Sequence, residues 1–183
     1  MSFALRQAFV SDIQDIMNVE AGAFFTPIRE KEEVFVERIT VFPQGFFVLI
    51  DEDTNKVCGY FASERWESYA LTSDDFLLDH SARERHKNNG SYVYISSMGI
   101  LQAYRGKGLG TYLFTESCNT LAKTLTDVKA FVLLVNEQWN SALKVDREYG
   151  LVQRGVLEKF FPQYQTQTGV VCVGDGIVME KVL

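Results

Sequence analysis

QAYRGKGLGTYLF, residues 102–114, places glycines at 106, 108 and 110 just before a run of apolar residues with helical spacing. Glycine weakens a helix by about 1 kcal/mol relative to alanine. Three glycines at the expected start of a helix, predicted over 109–125, indicate that something must approach the backbone closely there. We interpret the stretch as an anion-binding loop, because the free N–H groups and the positive dipole of a helix start favour a phosphate.

The spacing of these glycines excludes two common nucleotide-binding loops. A Walker loop requires a lysine and a Ser or Thr directly after its last glycine, and no lysine follows Gly110. A dinucleotide-binding fingerprint requires Gly-x-Gly-x-x-Gly early in a βαβ unit. Here the spacing is Gly-x-Gly-x-Gly, after the predicted fourth strand. What the stretch does contain is Arg-x-x-Gly-x-Gly, formed by Arg105, Gly108 and Gly110.

This motif, placed between a strand and an amphipathic helix, resembles the coenzyme A pyrophosphate loop of the GNAT superfamily of N-acetyltransferases. The resemblance covers essentially the whole chain, since NSALKVDREYGL at 140–151 is similar to a later helix of that family. It implies a single N-acetyltransferase domain over residues 1–183 with acetyl-CoA (coenzyme A as co-substrate). It also implies direct attack of an amine on the thioester, with no covalent enzyme intermediate.

The resemblance further implies which residues hold the cofactor. The strand before the loop is expected to splay from its neighbour and to bind the pantetheine arm through the backbone of Met98, Gly99 and Ile100. A glycine within a strand often marks a close backbone approach, which agrees with Gly99. The pyrophosphate is expected on the loop residues Arg105, Gly106, Lys107, Gly108, Leu109, Gly110 and Thr111. Asn140 is added because it lies one residue from Trp139, which occupies the family's asparagine position.

Hydrophobic periodicity predicts a mixed α/β (α+β) sheet with helices on both faces, in the order β-α-α-β-β-β-α-β-α-β-β with splayed central strands. The polar turn DEDTNK at 51–56 predicts a hairpin. Residues 70–90 are polar and are predicted to form a lid-like insertion. With 183 residues, 46% of them hydrophobic, the chain suffices for one well-packed domain.

Composition excludes several other classes of protein. The net charge of −6 argues against nucleic acid as a partner and favours cationic ligands. No apolar stretch approaches the ~20 residues of a membrane span, and the N-terminal MSFALRQAF does not resemble a secretory signal. The three cysteines lack metal-ligand spacing and are interpreted as reduced, mostly buried thiols. We therefore expect a cytoplasmic protein with no metal and no membrane partner, and leave a homodimer open.

A narrower resemblance concerns the middle of the chain. FASERWESYALTSDDFLLDH at 61–80 and YVYISSMGILQAYRGKGLG at 92–110 are similar to the arylalkylamine (serotonin) N-acetyltransferase branch. Trp66, the Leu71-Thr72 pair and His80 fall near matching positions, although the insertion before Gly90 is longer here. His80 and His86 are expected at the surface, with the alternative that a closing lid brings His80 inward.

Catalysis on an amine is expected to need a general base. An alkylamine of pKa near 10.4 is mostly ammonium at neutral pH, and freeing its lone pair costs roughly 4–5 kcal/mol. Counted back from Arg105, the two histidines that the arylalkylamine branch uses through water correspond to Tyr94 and Ser96, which could hold a water but are not bases. Glu64 on the neighbouring strand is the first carboxylate candidate and Glu20 the second. The alternative for Glu64 is a solvated charge at a strand end.

The family's general acid, a tyrosine, corresponds here to Asp146. An aspartate donates a proton at pH 7 only if its pKa rises by about three units. We therefore expect Asp146 to be a structural or amine-side carboxylate, with Tyr149, Tyr164 or no acid at all in the acid's role.

The acceptor is predicted to be the primary amine of a small cationic molecule, because Asp74, Asp75 and Asp79 lie in the insertion. Phe24, Phe25 and Trp66 are predicted to be core residues, with the lining of an acceptor pocket as the alternative. A protein N-terminal or lysine acetyltransferase stays open, since GDGIVMEKVL at 174–183 resembles ribosomal-protein acetyltransferases. A non-catalytic acyl-CoA-binding module stays open as well, because the family's histidines and tyrosine are missing.

Overall fold

Seven strands form one sheet in the structure, a computed structural model that describes residues 2–165 and 171–183, with side chains only outside 163–173. The strands are β1 Phe3–Gln7, β2 Phe46–Asp51, β3 Lys56–Trp66, β4 Tyr92–Ile100, β5 Ala130–Asn136, β6 Val152–Gln165 and β7 Val171–Val182. Their spatial order is β1-β2-β3-β4-β5-β7-β6. Only the central β4–β5 pair is parallel, and every other neighbouring pair is antiparallel. The mixed α/β sheet predicted from the sequence is confirmed.

Five helices connect the strands within the described residues. They are α1 Ile13–Ala23, α2 Glu32–Val41, α3 Ala82–Arg85, α4 Leu109–Thr124 and α5 Asn140–Tyr149. The predicted element order is confirmed, with the four-residue α3 added inside the insertion. Among the described residues, none of these helices is long and apolar enough to cross a bilayer. Cys58 and Cys118 are buried free thiols as expected, whereas the side chain of Cys172 lies outside the described set.

The sheet has a core on each face because its buried strands alternate in side-chain direction. In β2, Phe47 and Leu49 belong to the core under α4 and α5, whereas Phe46 and Val48 belong to the core under α1 and α2. The helices on both faces therefore cover a sheet whose central strands are apolar on each side. The sheet is interrupted toward the C-terminal ends of β4 and β5, where these two strands are no longer hydrogen-bonded to each other.

The insertion between β3 and β4 packs on the α1/α2 face of the sheet, beyond those two helices. Phe76 and Tyr69 enter a third cluster with Trp66 and Tyr94. The Trp66 and Tyr94 rings stack at 4.0 Å between centroids. The insertion is thus part of the packed structure and encloses polar groups of β3 beneath it.

Candidate active site

The parallel pair β4–β5 separates halfway along its length. Pairing runs from Tyr92↔Ala130 to Ile95↔Leu133, and β4 beyond Ile95 pairs only with β3. On the other side, the remainder of β5 pairs only with β7. In β4, residues 96–98 are half-buried whereas residues 93–95 and 99–100 are buried. The expected splay of the central strands is therefore present, and unpaired backbone of β4 faces it.

The glycine loop lies at the open end of this gap and adopts the conformation that its glycines permit. Gly106 and Gly108 have φ of +75° and +77°, a left-handed conformation that glycine adopts at little cost. Gly110 has no positive φ, and a Cβ added there would meet nothing within 4 Å. An added Cβ would meet nothing within 4 Å at Gly106 and Gly108 either, so all three glycines border open space. The backbone conformation explains Gly106 and Gly108, whereas open space for a ligand is what explains Gly110.

The start of α4 fits a diphosphate. Gly108 is the N-cap residue and no side chain caps the helix. The first helical bond joins the Tyr112 N–H to the Gly108 carbonyl, so the N–H groups of residues 109–111 have no helical acceptor. Open space and free N–H groups are the features that an anion requires at a helix N-terminus.

The two basic residues of the loop were expected to contribute positive charge, but both also form hydrogen bonds to backbone carbonyl groups. Arg105 donates from Nε to the Ile100 carbonyl at 3.1 Å and from Nη2 to the Gly22 carbonyl at 3.3 Å, which ties the loop to β4 and α1. Lys107 donates to the Ala103 carbonyl at 3.2 Å. Both residues are exposed, as are Gly106, Gly108 and Thr111. Arg105 therefore braces the loop as well as contributing charge.

The strand residues expected to hold pantetheine differ among themselves. Met98 is half-buried at the splay. The Ile100 carbonyl is already occupied by Arg105. At Gly99, an added Cβ would lie 3.0 Å from the Tyr60 ring and 3.1 Å from Val19 of α1, so the glycine is explained by the close approach of α1 to the sheet.

A bulge changes which residues of β4 point toward α1 and α2. We call this side of the sheet, on which Glu20 and Glu64 lie, the acceptor face. Ala62 pairs with Ser97 and the next residue of β3 pairs with Ile95, so Ser96 is an extra residue without a partner. Tyr94, opposite Glu64, therefore shares its face with Ser97 and not with Ser96. The Ser96 hydroxyl donates to the Ala62 carbonyl at 3.2 Å. Ser96 was paired with Tyr94 by counting back from Arg105 to the two histidine positions of the arylalkylamine branch, and a count along the sequence does not detect a bulge.

Glu64 is buried, so the alternative of a solvated strand-end charge is wrong. Its carboxylate accepts hydrogen bonds from Arg38 Nε at 2.6 Å and from Trp66 Nε1 at 3.1 Å. Burial by itself would raise the pKa of Glu64, but the His80 hydrogen bond and the Arg38 charge outweigh it and lower the pKa to about 2. A carboxylate held this firmly in its ionised form is a poor proton acceptor.

His80 points inward, so its expected surface position is wrong and the alternative is what the structure shows. Its side chain is 17% exposed, with Nε2 3.0 Å from Glu64 Oε1 and Nδ1 2.8 Å from the Leu77 carbonyl oxygen. Both oxygens can only accept, an arrangement that suits the doubly protonated ring. Burial opposes the charge, yet the hydrogen bond to Glu64 raises the pKa of His80 above its usual value. His86 is half-buried, and its Nδ1 lies 3.1 Å from the Arg65 N–H.

A second buried carboxylate, Glu20, lies at the end of α1 and is bound by neutral donors. It accepts the Tyr60 hydroxyl and, at 2.8 Å, the Glu30 N–H. Burial raises the pKa of Glu20 to about 7, and the hydrogen bonds only partly offset this. The Tyr60 oxygen also lies 2.6 Å from Ser97 Oγ. Sequence reasoning ranked Glu20 second and did not find Tyr60 or Ser97, because no local pattern links the three.

Asp146 is buried in α5, on the opposite face of the sheet. Within the described part of the chain, no side chain hydrogen-bonds its carboxyl group, and burial raises the pKa of Asp146 to about 7. The shift of about three units that a neutral, proton-donating aspartate requires is therefore present. Tyr149 instead donates to Asn119 at 3.1 Å under a raised pKa of about 12, and the Tyr164 side chain lies outside the described residues.

A chain of aromatic contacts joins the end of α1 to β6 through Trp139, which lies between β5 and α5. Phe24 packs on Trp139 at 5.7 Å, and Trp139 packs on Phe161 at 5.3 Å, both measured between ring centroids. Phe25 is 41% exposed and is therefore not a core residue, whereas Trp66 is fully buried as predicted. Asn140 is exposed at the start of α5.

Asn136, at the end of β5, is a site residue that sequence reasoning missed. It is fully buried, its Oδ1 accepts the Gln138 N–H at 2.9 Å, and its Nδ2 has no partner among the described residues. The available signal was a single amide at the end of the apolar run AFVLLVN.

The acidic residues of the insertion are largely engaged within the protein. Asp75 pairs with Arg85 at 2.9 Å and Asp79 with Lys31 at 2.8 Å, whereas Asp74 is exposed. Glu20, in contrast, is linked through the Tyr60 hydroxyl to Ser97 of the splayed part of β4.

The sequence profile of the acetyltransferase (GNAT) family matches residues 12–144. The chain belongs to the GNAT family. The match includes the splayed strands, the glycine loop and the start of α5, which agrees with the geometry above. It makes the protein an acyltransferase of a family that uses coenzyme A thioesters. No curated protein matches the chain by sequence.

Solved structures show the same GNAT fold at low identity. The loading GNATL domain of CurA from Lyngbya majuscula has a TM-score of 0.79 and 18% identity, with 100% of this chain and 98% of that chain covered. The GphF GNAT-like decarboxylase, solved with isobutyryl-CoA, has a TM-score of 0.76 and 16% identity over 98% of each chain. The ribosomal-protein-S18-alanine N-acetyltransferase from Escherichia coli has a TM-score of 0.71 and 14% identity, with 99% and 94% covered. At these identities the likeness establishes the fold alone.

Proposed function

We propose that this chain is a single-domain N-acetyltransferase that moves an acetyl group from acetyl-CoA to the primary amine of a small cationic acceptor. The observation that carries the proposal is the β4–β5 gap leading to the free N–H groups of α4. Acetyl-CoA, when bound, supplies the thioester carbon that the amine attacks. Met98 and Asn140 would bind the pantetheine arm, and the loop from Arg105 to Thr111 would bind the diphosphate.

The chain's own groups would then manage protons and orientation. Asp146, at the position of the family's tyrosine, has its pKa raised by burial to about 7, so it is about half protonated at neutral pH and is our candidate donor to a departing thiolate. Glu64 stays ionised, so we assign it the orientation of His80 and of the insertion above the site. Tyr94 and Ser96, the positions expected to hold a water, lie on the strand that borders the gap.

The acceptor class follows from charge. Glu20, Glu30 and Glu64 are buried on the acceptor face opposite one guanidinium, that of Arg38, and the imidazole of His80. This excess of carboxylates favours a cationic ligand over an anionic one. The resemblance of residues 61–110 to the arylalkylamine branch makes an arylalkylamine the first acceptor to test.

Cofactor binding is tested with Gly110→Val, measured by calorimetry with coenzyme A. Because the space above Gly110 is open and its φ is not positive, the new side chain leaves the free protein's melting temperature nearly unchanged. We expect affinity to fall at least about tenfold, which corresponds to about 1.4 kcal/mol. Glu116→Val, which places the same branched side chain at an exposed position of α4 outside the loop, is the matched control. Equal affinity of the wild type and Gly110→Val contradicts the loop assignment.

Acceptor choice is tested by thiol release from acetyl-CoA with arylalkylamines, polyamines and peptides. Release with the small amines supports the proposal. Release with peptides alone identifies a protein acetyltransferase, and coenzyme A binding without release on any acceptor identifies a non-catalytic module.

A further inference from the structure

Three side chains on the acceptor face form a continuous hydrogen-bonded row from β4 to the end of α1. Ser97 Oγ lies 2.6 Å from the Tyr60 oxygen, and the Tyr60 hydroxyl is bonded to Glu20 Oε2. The other Glu20 oxygen accepts the Glu30 N–H at 2.8 Å. The three residues come from α1, β3 and β4, so tertiary packing alone brings them together.

The row has one direction. An ionised carboxylate can only accept, so Tyr60 must donate its proton to Glu20. The Tyr60 oxygen is then free to accept, and Ser97 must donate to Tyr60. All the hydroxyl groups therefore point from the splay toward Glu20, which is the order needed to pass a proton inward.

The row is closed at one end and open at the other. Glu20 and Tyr60 are 1% and 0% exposed, whereas Ser97 is half-buried. Ser97 also lies in the part of β4 that has separated from β5, on the face opposite α4. Ser97 is therefore the member of the row that a molecule in the splay would reach.

We propose that Ser97, Tyr60 and Glu20 form a proton relay in which Ser97 touches the acceptor amine and Glu20 is the terminal base. This inference rests on the proposed N-acetyltransferase function and names the proton path that the reaction uses.

The proton count of this step balances without an added reactant. One N–H bond of the acceptor ammonium breaks and its proton passes to Ser97 Oγ, while the Ser97 proton passes to Tyr60. The Tyr60 proton passes to Glu20 Oε2, leaving a neutral amine and a neutral carboxylic acid. After the product has left, the proton passes back from Glu20 through Tyr60 to Ser97 and is released to solvent, which leaves Glu20 ionised for the next turnover.

The surroundings of Glu20 suit a base that ionises near neutrality. Glu30, on the segment before α2, opposes its ionisation and Arg38 of α2 favours it, while β3 contributes Tyr60. Burial is the largest influence and raises the pKa of Glu20 to about 7. Burial also raises the pKa of Tyr60, which keeps its proton on the hydroxyl between transfers.

The first test is the pH dependence of kcat/KM with a small amine. With Glu20 as base, the wild type rises tenfold per pH unit up to about pH 7 and then levels, because ionised enzyme and ammonium react together. Glu20→Gln keeps the Oε1 acceptor but not the base, so only free amine reacts. Its kcat/KM should fall roughly 10²-fold or more at neutral pH and keep rising toward the amine's own pKa. Glu148→Gln, an exposed site on α5, should match the wild type.

Tyr60→Phe breaks the row in its middle and should give the same steep profile as Glu20→Gln, with melting temperature as the check on folding. A wild-type profile that continues to rise between about pH 7 and 10 overturns the relay. A Tyr60→Phe profile identical to the wild type overturns it as well.

The second test needs no acceptor and so separates the relay from the proposed function. Infrared difference spectra of wild type against Glu20→Gln, recorded from about pH 6 to 8, isolate the carbonyl band of protonated Glu20. The band should disappear with a midpoint near neutrality. If it does not titrate, the relay fails even in an active enzyme. If it titrates but no amine is acetylated, the proposed function fails, and with it the role of the relay in acetyl transfer.

Discussion

The two faces of the sheet treat buried carboxyl groups in opposite ways. On the α1/α2 face, Glu64 is bound by Arg38, His80 and Trp66, and its pKa is about 2. On the α4/α5 face, Asp146 is equally buried but unpaired within the described residues, and its pKa is about 7. Burial acts in the same direction in both places, so the difference comes from the charged partners.

Glu20 shows that the pKa of a buried carboxyl group depends more on its hydrogen-bond donors than on the face of the sheet. It lies on the α1/α2 face near Arg38, yet its direct donors are a hydroxyl and an amide N–H. Neutral donors stabilise a carboxylate less than a guanidinium does, so burial prevails and the pKa rises to about 7. The α1/α2 face thus contains Glu64, which stays ionised and stabilises the structure, and Glu20, which titrates near neutral pH and can therefore exchange a proton.

The largest expected effect comes from removing the cation that pairs Glu64. Arg38→Met should lower the free energy of unfolding by about 3–5 kcal/mol, because Glu64 and Glu30 are left buried without their guanidinium. Chemical denaturation measures this. Arg83→Met is the control, since Arg83 pairs with Glu37 at 3.2 Å at the surface and should lose less than about 1 kcal/mol. Equal losses in the two variants would show that the buried pair has no special weight.

A second change tests the unpaired carboxyl group on the other face. Because the folded pKa of Asp146 is raised to about 7, its stabilising contribution is complete below the unfolded value near 3.8 and is lost as pH rises through about 7. Asp146→Asn imitates the protonated form and should be more stable than the wild type by up to about 4 kcal/mol above neutral pH. The gain should vanish toward pH 4. Thermal unfolding across pH measures it, and a gain that does not depend on pH contradicts the assignment.

The smallest effect concerns His80, whose stabilising contribution is lost as pH rises, in the same direction as that of Asp146. The raised folded pKa of His80 means that its contribution is complete below about 6.5 and is lost as pH rises through the folded value. His80→Gln should therefore cost about 2 kcal/mol in acid and less in alkali. Unfolding at matched pH values, with the exposed Asn88→Ala as control, reports this. A cost that grows with pH would show that His80 is bound as a neutral ring.

Sequence reasoning was most reliable where the signal is local. The element order and the hairpin at 51–56 are confirmed, because periodicity and turn chemistry act over a few residues. The splay beside the glycine loop, which the resemblance to the family implied, is also present. Sequence reasoning was least reliable for contacts between side chains that lie far apart in the sequence. One bulge puts Ser97, and not Ser96, on the same face of the sheet as Tyr94. The Glu64–His80 contact joins β3 to the insertion. Neither arrangement could be found by counting along the chain.

By itself, the sequence determined the family and the conformation of the glycine loop, since left-handed glycines before an amphipathic helix are encoded within a few residues. Only the tertiary structure decided which carboxyl groups are ionised and which residues meet the splay. Those properties depend on burial and on charges brought together from distant segments, as Glu20, Tyr60 and Ser97 are, and no local pattern carries that information.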